Sequence, residues 1–120
     1  MGFNDELRER TKKFSLRVIK LFQALPKNEE ARIIEKQLLR SGCSVGANFR
    51  AATRARSGKE FYSKLCIVVE EADESAFWME LLIEAGIVTN KKMNAIYNEA
   101  IELTKIMSVS RRTFKENIKK

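Results

Sequence analysis

"SVGANFRAATRARSGKEF", residues Ser44–Phe61, contains the end of one helical pattern and the start of the next. Ser57 precedes Glu60 by three residues, which is the capping-box pattern of a helix N-terminus. A helix is therefore predicted to begin near Gly58. Upstream of this point, apolar residues recur at steps of three or four, which predicts a helix that continues to about Arg54. Because the connection is short, the two helices must run antiparallel.

The same segment contains Ser57, Gly58 and Lys59, and a Gly-Lys pair also occurs in phosphate-binding loops. Such a loop needs a glycine five residues before the Gly-Lys pair and a Ser or Thr after it. Here those positions hold Thr53 and Glu60. The segment is therefore predicted to cap a helix and not to form a nucleotide-binding loop.

The N-terminal part of the chain predicts two helices separated by a proline. Asn4 or Asp5 is placed to cap the first helix, and Pro26 is placed to stop it. The second helix is predicted to begin after Asn28, whose side chain can accept a hydrogen bond from the first turn.

The C-terminal part predicts the remaining helix boundaries. The third helix ends before Gly86, and the fourth begins near Thr89 or Asn90 and keeps its apolar rhythm to about Ile118. Strand-like alternation is absent from the sequence. The prediction is an all-α fold, an antiparallel up-down-up-down four-helix bundle that forms a single domain over residues 1–120.

Small side chains are concentrated along the second helix. Glycine inside a helix costs about 1 kcal/mol relative to alanine, so this composition predicts that a neighbouring backbone comes close. The crossing is expected either inside the bundle or between subunits, with Asn48 as a buried polar residue that holds a partner's backbone. The small residues are Ser41, Gly42, Ser44, Gly46, Ala47, Ala51 and Ala52.

The formal net charge of +7 is unevenly distributed. Residues 1–56 and 89–120 are basic, whereas residues 57–88 are acidic. Folding the second and third helices about their turn places Arg40 opposite Glu74, so ion pairing between the two helices is predicted.

A structural or interface role is predicted for the residues of this ion-paired, small-residue surface. Trp78 is included because it and its neighbour Phe77 cannot both face one core, so one of them is expected to meet another subunit or a neighbouring helix. The full set is Arg40, Ser41, Ser44, Asn48, Glu70, Glu71, Glu74 and Trp78.

Basic residues also form stripes on the first, second and fourth helices, with steps of four on the second and fourth. With an isoelectric point near 9.6, these stripes predict phosphate contacts to RNA or DNA, with structured RNA favoured. The helical aromatics mostly fall on apolar faces, so base stacking is predicted to be poorly supplied. The predicted nucleic-acid-binding residues are Arg32, Lys36, Arg50, Arg54, Arg56, Arg111, Lys115 and Lys119.

A second hypothesis is a protein–protein adaptor or structural oligomer. In that case the acidic third helix specifies subunit pairing, and most arginines are neutralised within the assembly. The number of arginines left free in the assembled state discriminates between the two hypotheses.

The composition argues against catalysis. The chain has no histidine and only two cysteines, so the commonest metal ligand and the commonest general base are both missing. We therefore expect no catalytic residue, no metal and no cofactor, and a protein that is not an enzyme. Because no apolar run is long enough to cross a membrane and the first residues do not resemble a signal peptide, a cytoplasmic protein is expected.

Several motifs between Leu38 and Val88 occur in a known family pattern. They are Arg40-Ser41, Ser44 with Asn48, Arg56-Ser57, Glu60-Phe61, the acidic run Glu70–Glu74, and Leu81–Gly86. Through them the chain resembles the bacterial four-helix-bundle family named for proteins encoded in 23S ribosomal RNA intervening sequences. One departure is that Arg50 and Ala51 stand where many members carry an acidic residue in Asn-Ile-x-Glu-Gly.

The resemblance implies an antiparallel bundle that assembles into a ring-like homo-oligomer, with a pentamer favoured. It also implies kinship with the accessory proteins of diversity-generating retroelements, which are similar basic barrels that bind nucleic acid and a reverse transcriptase.

Overall fold

Helices follow one another along the whole described chain. The computed structural model describes residues 2–119, with side chains described as far as Asn117. The helices are α1 (Phe3–Ala24), α2 (Glu29–Thr53), α3 (Gly58–Glu84) and α4 (Asn90–Lys119). This order confirms the predicted all-α class and the four predicted helices.

Side-chain caps define the starts of three helices. Asn28 Oδ1 accepts a hydrogen bond from the backbone N–H of Ala31 at 2.8 Å. Ser57 Oγ accepts from the backbone N–H of Glu60 at 3.1 Å, and Thr89 Oγ1 plays the same part at α4. The predicted starts of α2, α3 and α4 are confirmed because each depends on a local hydrogen bond.

The predicted cap of α1 is wrong. The capping position is Gly2, and Asn4 and Asp5 lie inside the first turn. The Asp5 carboxylate accepts from the backbone N–H of Gly2 at 3.4 Å, and its charge is favourable at the positive end of the helix dipole. The acidic residue therefore supports the helix start from the third helical position.

A glycine ends α3 as predicted. Gly86 has φ 75°, the left-handed conformation that a side chain disfavours. Its N–H donates to the carbonyl of Ile83 at 3.0 Å, and the next N–H, from Ile87, donates to Leu82 at 3.0 Å. These two bonds form a Schellman motif, which turns the chain towards α4.

The helices pack in sequential antiparallel order. α1 packs on α2, α2 on α3 and α3 on α4, whereas α1 and α4 meet over a shorter region. That region includes a two-point ion pair, in which Arg10 Nε and Nη2 each lie 2.8 Å from an oxygen of Glu99. The bundle measures 51 × 24 × 20 Å.

The apolar faces of the four helices meet in one core. None of the helices in residues 2–119 combines the length and the apolar surface that spanning a bilayer requires. The largest apolar side chains that are fully buried are Phe14, Phe49, Leu38, Leu65, Met79, Leu82, Met93, Leu103 and Met107.

Many Lys and Arg residues lie at one end of the bundle. Three parts of the chain meet at this end: the start of α1, the α2–α3 turn and the end of α4. Their proximity is seen in one cleft that is lined by Phe3, Phe61 and Phe114. We call this the basic end, and it includes Arg50 to Lys59 and the part of α4 from Arg111 onwards.

Candidate nucleic-acid interface

The candidate site depends on a close crossing of α1 and α2. Ser15 of α1 lies against two glycines of α2, where its hydroxyl donates to the carbonyl of Gly42 at 2.7 Å and accepts from the N–H of Gly46 at 3.2 Å. A Cβ atom at Gly42 would lie 2.7–3.0 Å from the Val18 side chain. The predicted tight crossing is therefore present inside the bundle, and it brings the polar faces of both helices together.

A groove of about 470 Å³ runs beside this crossing. Arg8 and Lys12 stand on its α1 wall, and Arg50 and Arg54 stand on its α2 wall. Glu9 is the one carboxylate among the described residues that line it. The groove therefore offers cations on both sides, an arrangement suited to a phosphate group between them.

The floor of the groove is small and uncharged. It contains Ser15, Gly46, Ala47 and Cys43. Burial raises the pKa of the Cys43 thiol above its ordinary value, so the thiol stays protonated at neutral pH. Cys43 and Cys66 are both free and half-buried.

Three predicted arginines at the basic end remain unneutralised in the described structure. Arg50, Arg54 and Arg56 are exposed. Within residues 2–117, the ion pairs closer than 4 Å involve other cations, and none involves these three. Their charge is available to a partner that reaches this end of a single chain.

The fourth helix adds cations to the same end. Arg111 is half-buried and Lys115 is exposed, and both neighbour Phe114, whose ring packs against Phe61 with centroids 4.9 Å apart. Lys119 was also predicted to bind nucleic acid, but its side chain lies outside the residues whose side chains are described.

Two predicted binding residues lie at the other end of the bundle. Arg32 and Lys36 are exposed in the first turns of α2. Arg32 is about 33 Å from Arg54 along the helix, at the usual rise of about 1.5 Å per residue. The structure therefore does not bring them into the groove.

The predicted ion pair between α2 and α3 is present. Arg40 Nη1 lies 3.2 Å from a carboxylate oxygen of Glu71, and its Nη2 contacts Glu74. Trp78 Nε1 also donates to Glu74, at 3.0 Å. Arg40 is thus neutralised within the chain, unlike the arginines at the basic end.

The remaining residues with a predicted structural role differ in burial and in hydrogen bonding. Ser41 is buried and accepts a hydrogen bond from Ser75 of α3 at 2.9 Å, so it joins two helices. Ser44 and Asn48 are half-buried and bond to each other at 2.7 Å, and Glu70 is exposed.

Within the described chain, Asn48 bonds to its own helix and not to the backbone of a neighbouring helix. Its side-chain amide donates to the carbonyl and the hydroxyl of Ser44, one turn earlier in its own helix. No neighbouring backbone in residues 2–119 takes that bond, because the four-residue spacing already places a good acceptor within reach.

A basic stripe was expected on the first helix, but no residue of the α1 wall was among those predicted to bind nucleic acid. Arg8 and Lys12 carry the four-residue spacing of the other basic stripes, which is the signal that identifies them. Recognising them also requires knowing that α1 presents this face to α2, which only the crossing geometry shows.

The chain is similar to known proteins over most of its length. Residues 4–109 match the family model described as 23S rRNA-intervening sequence protein. A solved structure from Bacteroides thetaiotaomicron, described as a protein with unknown function from the S23 ribosomal protein family, is 32% identical. The match covers 91% of this chain and 97% of that chain, with a TM-score of 0.84. No curated protein matches the chain. The family model spans well over half of the sequence, and the chain belongs to the 23S rRNA-intervening sequence protein family.

Proposed function

We propose that this chain is a non-enzymatic, cytoplasmic RNA-binding protein that holds structured RNA by phosphate contacts at its basic end. The groove between α1 and α2 carries the proposal, because two cations on each wall face one shared space. Phosphate oxygens accept charge-assisted hydrogen bonds from arginine, and their binding releases counterions. Such contacts position an RNA backbone without depending on its sequence.

The ion pairs in residues 2–117 support RNA binding over the alternative in which most arginines are neutralised by carboxylates of the protein itself. Arg40 is occupied by Glu71 and Glu74, whereas Arg50 and Arg54 face the groove with no carboxylate within ion-pair distance in residues 2–117. The acidic run therefore uses one arginine and leaves the α2 wall of the groove its charge. On the α1 wall, Arg8 pairs with Asp5 at 3.2 Å at an exposed site.

Two charge-reversal variants on the same helix test the proposal. Arg50→Glu with Arg54→Glu changes the groove, and Arg32→Glu with Lys36→Glu makes the same change in net charge at the other end. We expect the groove variant to weaken binding of a labelled structured RNA by about 100-fold or more, because it removes two charge-assisted hydrogen bonds that contribute about 1.5–3 kcal/mol each. Fluorescence anisotropy at fixed salt measures the loss.

The matched variant separates a site from a general charge effect. Equal losses in both variants would contradict binding at the groove. Absence of RNA binding by the unmodified protein at low salt would contradict the proposed function itself.

A thiol-protection experiment reports whether RNA occupies the groove. In a Cys66→Ala protein, Cys43 on the groove floor is the remaining thiol. Bound RNA should slow its alkylation at mildly alkaline pH, where the raised pKa of Cys43 still allows some thiolate to form. An unchanged alkylation rate with RNA at saturation would place the RNA elsewhere.

A structural oligomer is the second candidate function, and exposed apolar side chains favour it. Leu16, Ile33 and Phe77 are each about half exposed or more, at 51%, 63% and 49%. Aromatic side chains are enriched at protein–protein interfaces, and the exposed ring of Phe77 lies beside that of Trp78, with centroids 5.0 Å apart. This candidate includes the ring-like homo-oligomer, with a pentamer favoured, and the kinship with retroelement accessory proteins.

Light scattering tests the second candidate directly. We expect a mass that is a multiple of the chain mass, and we expect Ile33→Asp to reduce it because a buried aspartate would lose its hydration. A monomeric mass for the unmodified protein would contradict this candidate while leaving the RNA-binding experiment interpretable.

A further inference from the structure

An apolar cleft of about 510 Å³ lies at the basic end, apart from the groove. Phe3 from the start of α1, Phe61 from α3, and Phe114 and Val109 from α4 form its apolar walls. Phe3 and Val109 are 58% and 56% exposed. The cleft therefore leaves a large aromatic face open to solvent at the end where the cations gather.

Two parts of the chain bring cations close to this cleft. A Cβ atom at Gly58 would lie 3.3 Å from the Phe114 ring, so the first turn of α3 packs directly on that ring. Arg56 and Lys59 flank this glycine in the chain, and both are exposed. Lys115 follows Phe114 on α4. None of the described residues that line the cleft is charged, so these cations are neighbours of its walls in the chain and not part of them.

The rim of the cleft is polar. Asn4 and Asn117 contribute side-chain amides, each of which can both donate and accept a hydrogen bond. Thr113 adds a hydroxyl group. The apolar floor and the amide rim match a flat base and its hydrogen-bonding edges. The anionic phosphate of the same nucleotide matches the unpaired arginines elsewhere at the basic end, such as Arg54 and Arg56.

From this combination we infer that the cleft binds one unpaired base, from a loop or bulge of a structured RNA, against Phe3. The inference rests on the proposed function and adds the class of RNA feature that the protein selects. Unpaired bases stack on aromatic side chains in sequence-tolerant RNA sites, whereas paired bases of an A-form helix cannot reach such a ring. The net charge of +7 and the unpaired arginines at this end favour an anionic occupant over a second copy of the chain, which would bring like charges together.

The experiment uses a labelled RNA hairpin with an unpaired loop and a matched hairpin whose loop nucleotides lack their bases. Phe3→Ala should weaken binding of the base-bearing hairpin by about 5- to 100-fold, since stacking of one base contributes about 1–3 kcal/mol. The abasic hairpin should bind the unmodified protein as weakly as the base-bearing hairpin binds Phe3→Ala. Phe3→Trp should retain or increase affinity, because tryptophan offers a larger stacking surface.

Phe77→Ala is the matched control. Phe77 has a similar exposure, 49%, but lies on α3 outside the cleft, so its loss should leave affinity unchanged. Equal binding of the two hairpins by the unmodified protein, or unchanged binding by Phe3→Ala, would overturn the inference while leaving phosphate binding intact. A failure of both hairpins to bind at low salt would instead reject the proposed function.

The mass of the oligomer tests whether a second copy of the chain, and not an RNA base, occupies the cleft. Light scattering of the unmodified protein and Phe3→Ala should give the same mass. A smaller mass for Phe3→Ala, with equal weakening of both hairpins, would show that a second copy of the chain covers the cleft and would overturn the inference.

Discussion

Single residues set the spacing of α1 and α2. Ser15 places its hydroxyl between the carbonyl of Gly42 and the N–H of Gly46, a pair of groups that bond to each other in an uninterrupted helix. The absence of side chains at the two glycines allows this approach. Because the groove walls stand on the same two helices, the glycines also fix the distance between its cations.

We expect Gly46→Ala to destabilise the protein by up to about 2 kcal/mol. The new Cβ would lie 2.7 Å from Ser15 Oγ and 3.2 Å from the backbone oxygen of Thr11. Overpacking of this kind costs about 1–3 kcal/mol, which outweighs the gain of about 1 kcal/mol from replacing a helical glycine. Urea unfolding followed by circular dichroism measures the change.

Ser15→Ala provides the control for this prediction. It removes the nearest atom, so Gly46→Ala should cost less in the Ser15→Ala background than in the unmodified protein. A stability increase on Gly46→Ala alone, as helix propensity by itself predicts, would contradict the close crossing.

Tyr97 links stability to alkaline pH. Its phenol donates to Glu80 Oε2 at 2.9 Å, and this bond to the carboxylate raises the pKa of Tyr97 above its ordinary value. The neutral phenol is thus favoured in the folded state. Its contribution is fully present below the unfolded pKa of about 10 and is lost as pH rises through the folded pKa.

Absorbance titration of tyrosinate should reveal this shift. In a Tyr62→Phe protein, Tyr97 is the remaining tyrosine, and its pKa should move back towards the ordinary value when Glu80→Gln is added. The stability difference between the unmodified protein and Tyr97→Phe should shrink above about pH 10. A difference that stays constant across that range would contradict the linkage.

At the scale of the elements, the junction of α1 and α2 contains a buried carboxylate. Glu35 is 1% exposed, and Lys27 Nζ lies 2.8 Å from its Oε1. Its Oε2 is buried with no hydrogen-bond partner among the described residues. Lys27 also lies over the ring of Phe22, 4.0 Å from the centroid, so one lysine joins the end of α1 to the start of α2.

We expect Lys27→Met to lower the free energy of unfolding by about 1–3 kcal/mol. The methionine keeps an apolar stem near Phe22 but leaves the Glu35 carboxylate without its charged donor, and an unpaired buried group costs about this much. Thermal and urea unfolding measure the loss. Lys20→Met, at an exposed position of α1, is the control, and equal effects of the two changes would contradict the pairing.

The helices were predictable from sequence where their ends depend on local bonds. Asn28, Ser57 and Gly86 each mark a boundary through hydrogen bonds to residues within one turn. The start of α1 was not predictable, because Gly2, Asn4 and Asp5 are all compatible with the first turn of a helix. Glu35 was missed because its burial depends on how two helices pack.

The candidate site was predictable on only one of its walls. The α2 arginines follow from charge spacing along one helix. The α1 wall, with Arg8 and Lys12, follows from the rotation of α1 against the two glycines, and the exposure of Phe3 follows from where α1 begins relative to α4.

At the scale of the whole molecule, the bundle places comparable basic pairs at its two ends. Arg50 and Arg54 stand near the end of α2, and Arg32 and Lys36 stand near its start, all exposed. Net charge alone would make the two ends equivalent for a polyanion. The groove and the neighbouring turn favour the basic end, because a phosphate there meets cations from more than one helix.

The salt dependence of RNA binding separates these two possibilities. Each phosphate contact contributes about 0.7–0.9 to the slope of log K against log salt. We expect Arg54→Gln to reduce the slope by about 1 and Arg32→Gln to leave it unchanged, although both variants remove one charge. Anisotropy titrations across salt give both slopes. If the two variants reduced the slope equally, the RNA would be responding to the net charge of the bundle, and the groove between α1 and α2 would have no special part in binding.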